Sequence, residues 1–299
     1  MVAMRSLPTY TAPQDGQLSP EMLADYREAG VLILENFVPR KRCDELRQRA
    51  LELIDDFNPD EVRHIFAAVD DLEFGDAHLG DSYFEESGDK IRYFFEADAF
   101  DDSGSLRQSK ENSLNKIGHA LHDLDPVFDG FSRNPALASL AESLGYDAPL
   151  ILQSMYILKP PKIGGEVRCH QDSTYLYTEP ESCTGFWFAV EDATTENGCM
   201  HFIPGAHREP LREIQYRAAD GKMTYRTLDD RPWAMDQCVA APAPAGTLVI
   251  FDGRAPHLSG PNHSDKSRHA YTLHVIEASS HYPPENWLQR GDDMPLRGF

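Results

Sequence analysis

The sequence predicts a mainly β protein with an amino-terminal helical support, and three observations carry the prediction. From residue 148 onward, apolar runs of strand length, rich in aromatic and β-branched residues, recur between Gly, Pro, Asn and Asp. Before residue 145 the apolar positions fall mostly at helical spacing. No internal repeat and no low-complexity linker interrupts the chain, so its 299 residues are expected to form one domain, with 1–145 as support and 146–299 as core. Many short strands with helices packed on one side mean a sandwich or barrel.

The elements follow in order. Ser19 caps a helix that Pro20 opens and Gly30 closes. "VLILENFV" is a short strand ended by Pro39, and residues 40 to 57 place Cys43, Leu46, Ala50, Leu53 and Ile54 on one helical face. From Asp55 to Asp102 the chain is acidic and irregular, which reads as solvated surface. "NSLNKIGHALHDLD" and "NPALASLAESLG" read as helices, the second with Asn134 as cap, Pro135 in the first turn and Gly145 as stop. "PLILQSMYILKP", "GFWFAVEDA", "GCMHFIPGA", "GTLVIFDG" and "HAYTLHVIEA" are the strands of the core.

Composition removes several function classes. A formal charge of -21 repels polyphosphates, so nucleic acid is not an expected partner. Five cysteines, at 43, 169, 183, 199 and 238, show no CxxC spacing, which argues against a disulfide framework and a cysteine zinc site. They are expected to be free thiols in a reducing compartment. The amino end has no apolar run of signal-peptide type, no 18-residue apolar segment exists, and the end "MPLRGF" carries no S-K-L peroxisomal address. The expected setting is cytoplasmic, without a membrane.

The pattern His-x-Asp occurs twice. His263-x-Asp265 sits in "GPNHSDKS", a polar loop where both residues read as solvated. His170-x-Asp172 follows Gly164-Gly165 and precedes "TYLYT", whose alternation suits a strand edge. Side chains at i and i+2 of a strand share a face, so this pair can supply two ligands of a mononuclear iron centre, which takes two histidines and one carboxylate and keeps three positions open. His257, at the end of "GTLVIFDG" in "RAPHLSGPN", is the best candidate for the third, although position alone fits a turn histidine equally well. His201, His207, His269 and His274 invite the same question. His274 alternates within a strand and reads as core, and His207 belongs to a turn.

Eleven residues past His257 stands Arg268, at the start of "HAYTLHVIEA". If the open positions hold a 2-oxoacid chelate such as 2-oxoglutarate, its far carboxylate needs a fixed cation, and a bidentate guanidinium is the best match. An iron ion, the dianionic co-substrate and Asp172 together carry net negative charge, so a buried positive charge is required.

Four stretches, "QSMYILKPPKIGGEVRCHQDSTYLYTEP", "FWFAVEDATTENGCMHFIPGAH", "RAPHLSGPNHSDKSRHAYTLHVIEA" and "PENWLQ", resemble the phytanoyl-CoA dioxygenase family of Fe(II)/2-oxoglutarate oxygenases. The similarity covers roughly residues 110 to 290, and within the family it is strongest to the phytanoyl-CoA dioxygenase domain-containing proteins. The resemblance implies a double-stranded β-helix core, the cupin-like jelly roll. It implies Fe(II), 2-oxoglutarate and O2 as cofactor and co-substrates, with a small-molecule substrate. It implies His170, Asp172 and His257 as iron ligands, with Arg268 and Ser259 at the far carboxylate of the co-substrate. Lys116, Met155 and Trp187 would line the co-substrate pocket, with Gln171 beside the ligands. Read without the resemblance, Lys116 is a solvated helix residue, and Met155 and Trp187 are core. Asp172 argues against halogenation, since the related radical halogenases lack that carboxylate. A zinc enzyme on the same barrel, or a non-catalytic module that binds 2-oxoglutarate, are the readings from other classes.

Overall fold

The computed structural model describes residues 6–59, 63–65 and 82–299. In chain order its strands are β1 (Thr9–Thr11), β2 (Val31–Glu35), β3 (Ile91–Phe95), β4 (Leu114–His119), β5 (Pro149–Ile157), β6 (Val167–His170), β7 (Thr184–Ala189), β8 (Met200–Phe202), β9 (Glu213–Arg217), β10 (Met223–Thr227), β11 (Val239–Ala241), β12 (Leu248–Asp252), β13 (His257–Ser259) and β14 (Ala270–Glu277). Helices α1 (Pro20–Ala29), α2 (Arg40–Asp56), α3 (Ser82–Glu85), α4 (Leu121–Leu124), α5 (Pro126–Ser132) and α6 (Pro135–Leu144) all precede β5. The larger sheet has the order β1-β2-β12-β7-β14-β5-β4-β3 and the smaller one β11-β8-β13-β6, with β9 and β10 as a separate hairpin. The β1–β2 pair is parallel, and the pairings that join the core strands are antiparallel. This is the double-stranded β-helix with its helical support.

Period-2 alternation explains why the layers separate. Along β14, Tyr271, Leu273 and Val275 enter one core with Leu46, Ala50 and Ile54 of α2, Phe128 and Phe131 of α5, and Leu137 and Leu140 of α6. Ala270 faces the other way. There it joins Val31, Ile33, Trp187, Val249 and Phe251 of the larger sheet and Met200 and Phe202 of the smaller one. Helices cover one face of the larger sheet and the smaller sheet covers the other. Each fully buried Leu or Phe contributes roughly 1.5 to 3 kcal/mol, which is why both faces are sealed.

Local chemistry sets the helix ends. Ser19 Oγ accepts from the Met22 amide at 3.2 Å, and the Gly30 amide donates back to Tyr26 O at 2.7 Å from a left-handed φ of 76°. A Cβ on Gly30 would also lie 2.3 Å from His207 Nδ1, so the turn and the packing both demand glycine. On α6, Asn134 Oδ1 accepts from Ala136 and Leu137, both at 3.1 Å.

Four sequence expectations change. The stretch "NSLNKIGHALHDLD" is not one helix: Leu114–His119 is β4, and only Leu121–Leu124 is helical. Pairing with β3 on one side and β5 on the other outweighs local helical spacing. The amino-terminal part therefore supplies four strands of the larger sheet as well as the helices. The acidic stretch 55–102 is not uniformly solvated, since β3 crosses it and Glu96 is buried; residues 60–62 and 66–81 of that stretch lie outside the described residues. Finally, "TYLYT" is not a strand edge. Asp172–Thr174 is a 3-10 turn in which Asp172 O accepts from Tyr175 and Leu176, while the Ser173 amide donates to Gly253 O.

Candidate metal centre

His170 ends β6 and His257 begins β13, and the two are direct cross-strand partners. Gln171 is still extended, with φ -119° and ψ 133°, so Asp172 projects to the same side as His170 before the 3-10 turn begins. Asp172 Oδ1 lies 3.4 Å from His170 Nε2 and 3.6 Å from His257 Nε2, and the three donor atoms all stand within 4.8 Å of one another. Neighbouring ligands about 2.1 Å from a common metal stand about 3 Å apart, so the set is close to ligating geometry. Among the described residues this is the one cluster of its kind.

Hydrogen bonds behind the candidate ligands select which atoms face one another. His170 Nδ1 donates to Arg168 O at 2.8 Å and His257 Nδ1 to Ala255 O at 3.0 Å, so Nε2 is the nitrogen that each neutral ring offers to a metal, although, against burial, Asp172 raises His170 above the ordinary imidazole value. Asp172 Oδ2 accepts from His274 Nε2 at 2.8 Å. Burial opposes the Asp172 charge, but His274, His257 and His170 hold its carboxyl well below the ordinary range. Burial, aided by neighbouring His170, pushes His257 down to about 4. An anionic carboxylate and a neutral imidazole are the forms a divalent cation requires.

The protein also buries a second polar group. Arg268 is 2% exposed, and its Nε and Nη1 have no hydrogen-bond partner. The guanidinium stands 5.4 Å from the centroid of the Trp187 ring, whose Nε1 also lacks a partner. Unmet buried donors are costly, and three of them together fit an acceptor-rich ligand. Met155 and Trp187 flank Thr272 in one cross-strand row of the larger sheet. Lys116 of β4 is 8% exposed, with Nζ 3.9 Å from Met155 Sδ, and burial pushes its ammonium down to about 7. Ser259, two residues beyond His257, donates from Oγ to Gly198 O at 2.9 Å.

Not every expected residue joins this group. Gln171 is next to the ligands in sequence, but its amide is committed to backbone. Its Oε1 accepts from the Arg212 amide at 2.9 Å and its Nε2 donates to Arg254 O at 2.7 Å, tying the approach to β9 and the turn before His257 to the ligand strand. Of the other histidines, His201 bonds Cys199 O, His269 bonds Tyr156 Oη and His207 bonds Arg27 O. Asp265 is exposed and pairs with Lys162. The residues that sequence reasoning missed are His274, Glu96 and Lys159. Glu96 accepts from Asn115 Nδ2 at 3.0 Å and from the Gly165 amide at 3.2 Å, and Lys159 Nζ donates to Gly165 O at 2.6 Å.

A cleft of about 330 Å³ opens beside His170, walled by Arg212, Glu213, Asp229, Asp230, Arg231 and Trp233. Arg212 and Arg231 both pair with Asp229 and Glu209.

Two histidines and a carboxylate whose donor atoms lie within 4.8 Å of one another, in a jelly roll that also buries a guanidinium with unmet donors, form a candidate mononuclear metal site. The phytanoyl-CoA dioxygenase (PhyH) family model matches residues 26–270, and the chain belongs to that family. It is 43% identical over 284 residues to phytanoyl-CoA dioxygenase domain-containing protein 1 of Mus musculus, covering 93% of this chain and 97% of the mouse protein. Its structure is similar to that of the non-heme alpha ketoglutarate dependent carbocyclase SnoK from nogalamycin biosynthesis, with a TM-score of 0.64, 21% identity, and coverage of 97% and 100% of the two chains. The epimerase SnoN, solved with Fe3+, alpha ketoglutarate and nogalamycin RO, aligns with a TM-score of 0.61 and 18% identity over 92% of this chain and 97% of its own. At these identities both likenesses bear on the fold. Among the described residues, no helix is long and apolar enough to cross a membrane.

Proposed function

We propose that this chain is an Fe(II)- and 2-oxoglutarate-dependent dioxygenase that hydroxylates a small-molecule substrate with release of succinate and CO2. The observation that carries the reading is the convergence of His170, Asp172 and His257, within 4.8 Å, in a core that also buries an unpaired guanidinium. In this reading the three side chains hold the metal and leave the remaining positions open. Iron and 2-oxoglutarate, when bound, supply the oxidising chemistry by coupling decarboxylation of the co-substrate to oxidation of a substrate C–H bond by O2.

The protein's own part is orientation, charge and exclusion of water. Arg268 offers its unpartnered guanidinium N–H donors to the far carboxylate of the co-substrate, with Ser259 beside it. Trp187, Met155 and Lys116 wall the pocket. Arg268, with Lys116 and Lys159 buried in the same region, offsets the buried carboxylates Glu96 and Asp172, and a divalent metal added to these groups leaves positive charge that suits a dianion.

The substrate is inferred to be a small neutral, acidic or cationic molecule, not an acyl-CoA. Both arginines of the cleft beside His170 are already paired with acids, and Asp230 and Glu213 add further negative charge. A coenzyme A thioester would bring several negative charges to that mouth. The test is anaerobic reconstitution with Fe(II) and 2-oxoglutarate, addition of individual metabolites, exposure to oxygen, and measurement of succinate above the substrate-free background. Coupled turnover of a small neutral, acidic or cationic metabolite is expected. Tight binding and turnover of an acyl-CoA would end the substrate reading, and absence of 2-oxoglutarate decarboxylation under all conditions would end the dioxygenase reading.

A further inference from the structure

The sequence places His274 in an apolar strand, where a histidine reads as core. Strand parity says otherwise. Arg268, Ala270, Thr272 and His274 alternate along one face of the segment that leads into β14, and that face looks toward the metal centre while Tyr271, Leu273 and Val275 look toward the helices. His274 is 4% exposed, and both ring nitrogens are engaged. Gln153 Nε2, its cross-strand partner on β5, donates to His274 Nδ1 at 3.0 Å, and His274 Nε2 donates to Asp172 Oδ2 at 2.8 Å.

We propose that His274, set by Gln153, is a positioning residue that holds Asp172 Oδ2 and so leaves Oδ1 as the single carboxylate oxygen offered to a metal. The inference rests on the reading of His170, Asp172 and His257 as ligands. Oδ1 is the oxygen that faces both of those histidines, at 3.4 and 3.6 Å, and Oδ2 is the one turned to His274. A carboxylate rotates freely about its terminal torsion unless something holds it. Without the imidazole, Oδ2 could swing toward the cation and occupy a second position, one that the proposed co-substrate requires. Fixing the carboxylate thus serves affinity, by pre-organising a ligand, and vacancy, by keeping a neighbouring position open. The chain Gln153, His274, Asp172 spans β5, β14 and the turn after β6, so the larger sheet supports a ligand that the smaller sheet delivers.

The test titrates the metal-free protein with Co(II) under anaerobic conditions by calorimetry, and then titrates 2-oxoglutarate into the Co(II)-loaded protein. His274→Leu removes the donor, and His274→Gln retains an N–H near the Nε2 position. We expect His274→Leu to bind Co(II) roughly 10- to 100-fold more weakly than the parent. Its 2-oxoglutarate affinity should fall as well, the visible Co(II) spectrum should change, and His274→Gln should recover most of the loss. A purely structural histidine would lower the thermal midpoint of the metal-free protein and leave Co(II) affinity in the folded fraction unchanged. Parental Co(II) affinity and spectrum in folded His274→Leu would overturn the proposal. If that variant does not fold, Gln153→Leu decides, because it leaves the imidazole in place without its brace. A several-fold loss of Co(II) affinity then supports the proposal and parental affinity overturns it. Asp172→Ala separates the two levels of inference: if it binds Co(II) like the parent, the ligand assignment itself has failed, whatever His274 does.

Discussion

Replacing Arg268 with methionine separates a co-substrate anchor from a structural cation. Burial pushes the guanidinium down to about 10 from its ordinary value of about 12.5. At about 1.36 kcal/mol for each tenfold change in proton affinity, that is about 3 kcal/mol of unfavourable burial in the ligand-free protein. The sign is fixed because the group is a base whose folded value is lowered. Below both values it is charged in the folded and unfolded chain alike, and the whole penalty is present at neutral pH. Methionine fills much of the same volume without charge, and replacing buried ions with apolar side chains of similar size is often neutral or stabilising by about 1 to 4 kcal/mol. The metal-free Arg268→Met variant should therefore resist urea at least as well as the parent. Binding should show the opposite result. Two buried charge-assisted hydrogen bonds are lost, which weakens 2-oxoglutarate by about 2 to 4 kcal/mol, or roughly 30- to 1000-fold. Calorimetric titration of 2-oxoglutarate into the Co(II)-loaded protein, paired with urea unfolding of the metal-free protein, reads both. Parental affinity for 2-oxoglutarate would refute the anchor, and a large drop in metal-free stability would make Arg268 structural instead.

His170→Ala should abolish stoichiometric Co(II) binding while leaving the circular dichroism of the metal-free protein unchanged, because the ring is only half-buried and belongs to neither apolar core. Asp123, nearly buried, meets Arg133 at 2.7 Å, Arg290 at 3.0 Å and Arg297 at 2.7 Å, so Asp123→Asn should cost about 3 to 5 kcal/mol at pH 7 in urea unfolding. Burial alone would raise the Asp123 carboxyl, but His122 and the arginines hold it far below the usual range. Its stabilisation is thus fully present above about pH 4, the unfolded value, and the gap between parent and variant should narrow as pH falls further. Asn134→Ala removes the acceptor of two amides at the start of α6 and should cost about 0.5 to 2 kcal/mol, read as a shift in the urea midpoint without change in slope.

What was legible in the chain follows from how local its causes are. Ser19, Pro20 and Gly30, like Asn134, Pro135 and Gly145, act within a single turn, so α1 and α6 could be bounded to the residue. The core strands announced themselves through aromatic and β-branched runs. β4 did not, because its neighbours lie far away in sequence, on β3 and β5, and pairing with them decides the conformation. Misreading β4 also hid Lys116, which no helical surface would bury. The His-x-Asp pair was visible as chemistry, whereas position made His257 only the best candidate for a third ligand, since nothing local tells a turn histidine from one that opens β13. His274 had a signal that went unused: it shares parity with Arg268, and counting by twos from that arginine leads to it. Gln171 had no local signal for its role in the fold: it lines the cleft with His170, and its side-chain amide ties the Arg212 amide and Arg254 O to the strand that carries His170.

The direct opposition of His170 and His257 across β6 and β13 has an evolutionary consequence. The distance between these imidazoles is set by the ladder that joins two adjacent strands, and hardly at all by the peptide that runs between them. Slippage of one residue would throw one ring to the wrong side, so the pairing is intolerant, yet the loops that join the intervening strands are at liberty to vary. The excursion that leaves the smaller sheet after β8 and rejoins it at β11 carries the β9–β10 hairpin together with Arg212, Asp229 and Trp233. Exchanging that excursion for another of different length would redraw the cleft while sparing the ladder, so new substrate preferences could arise in such a scaffold without rebuilding its reactive centre.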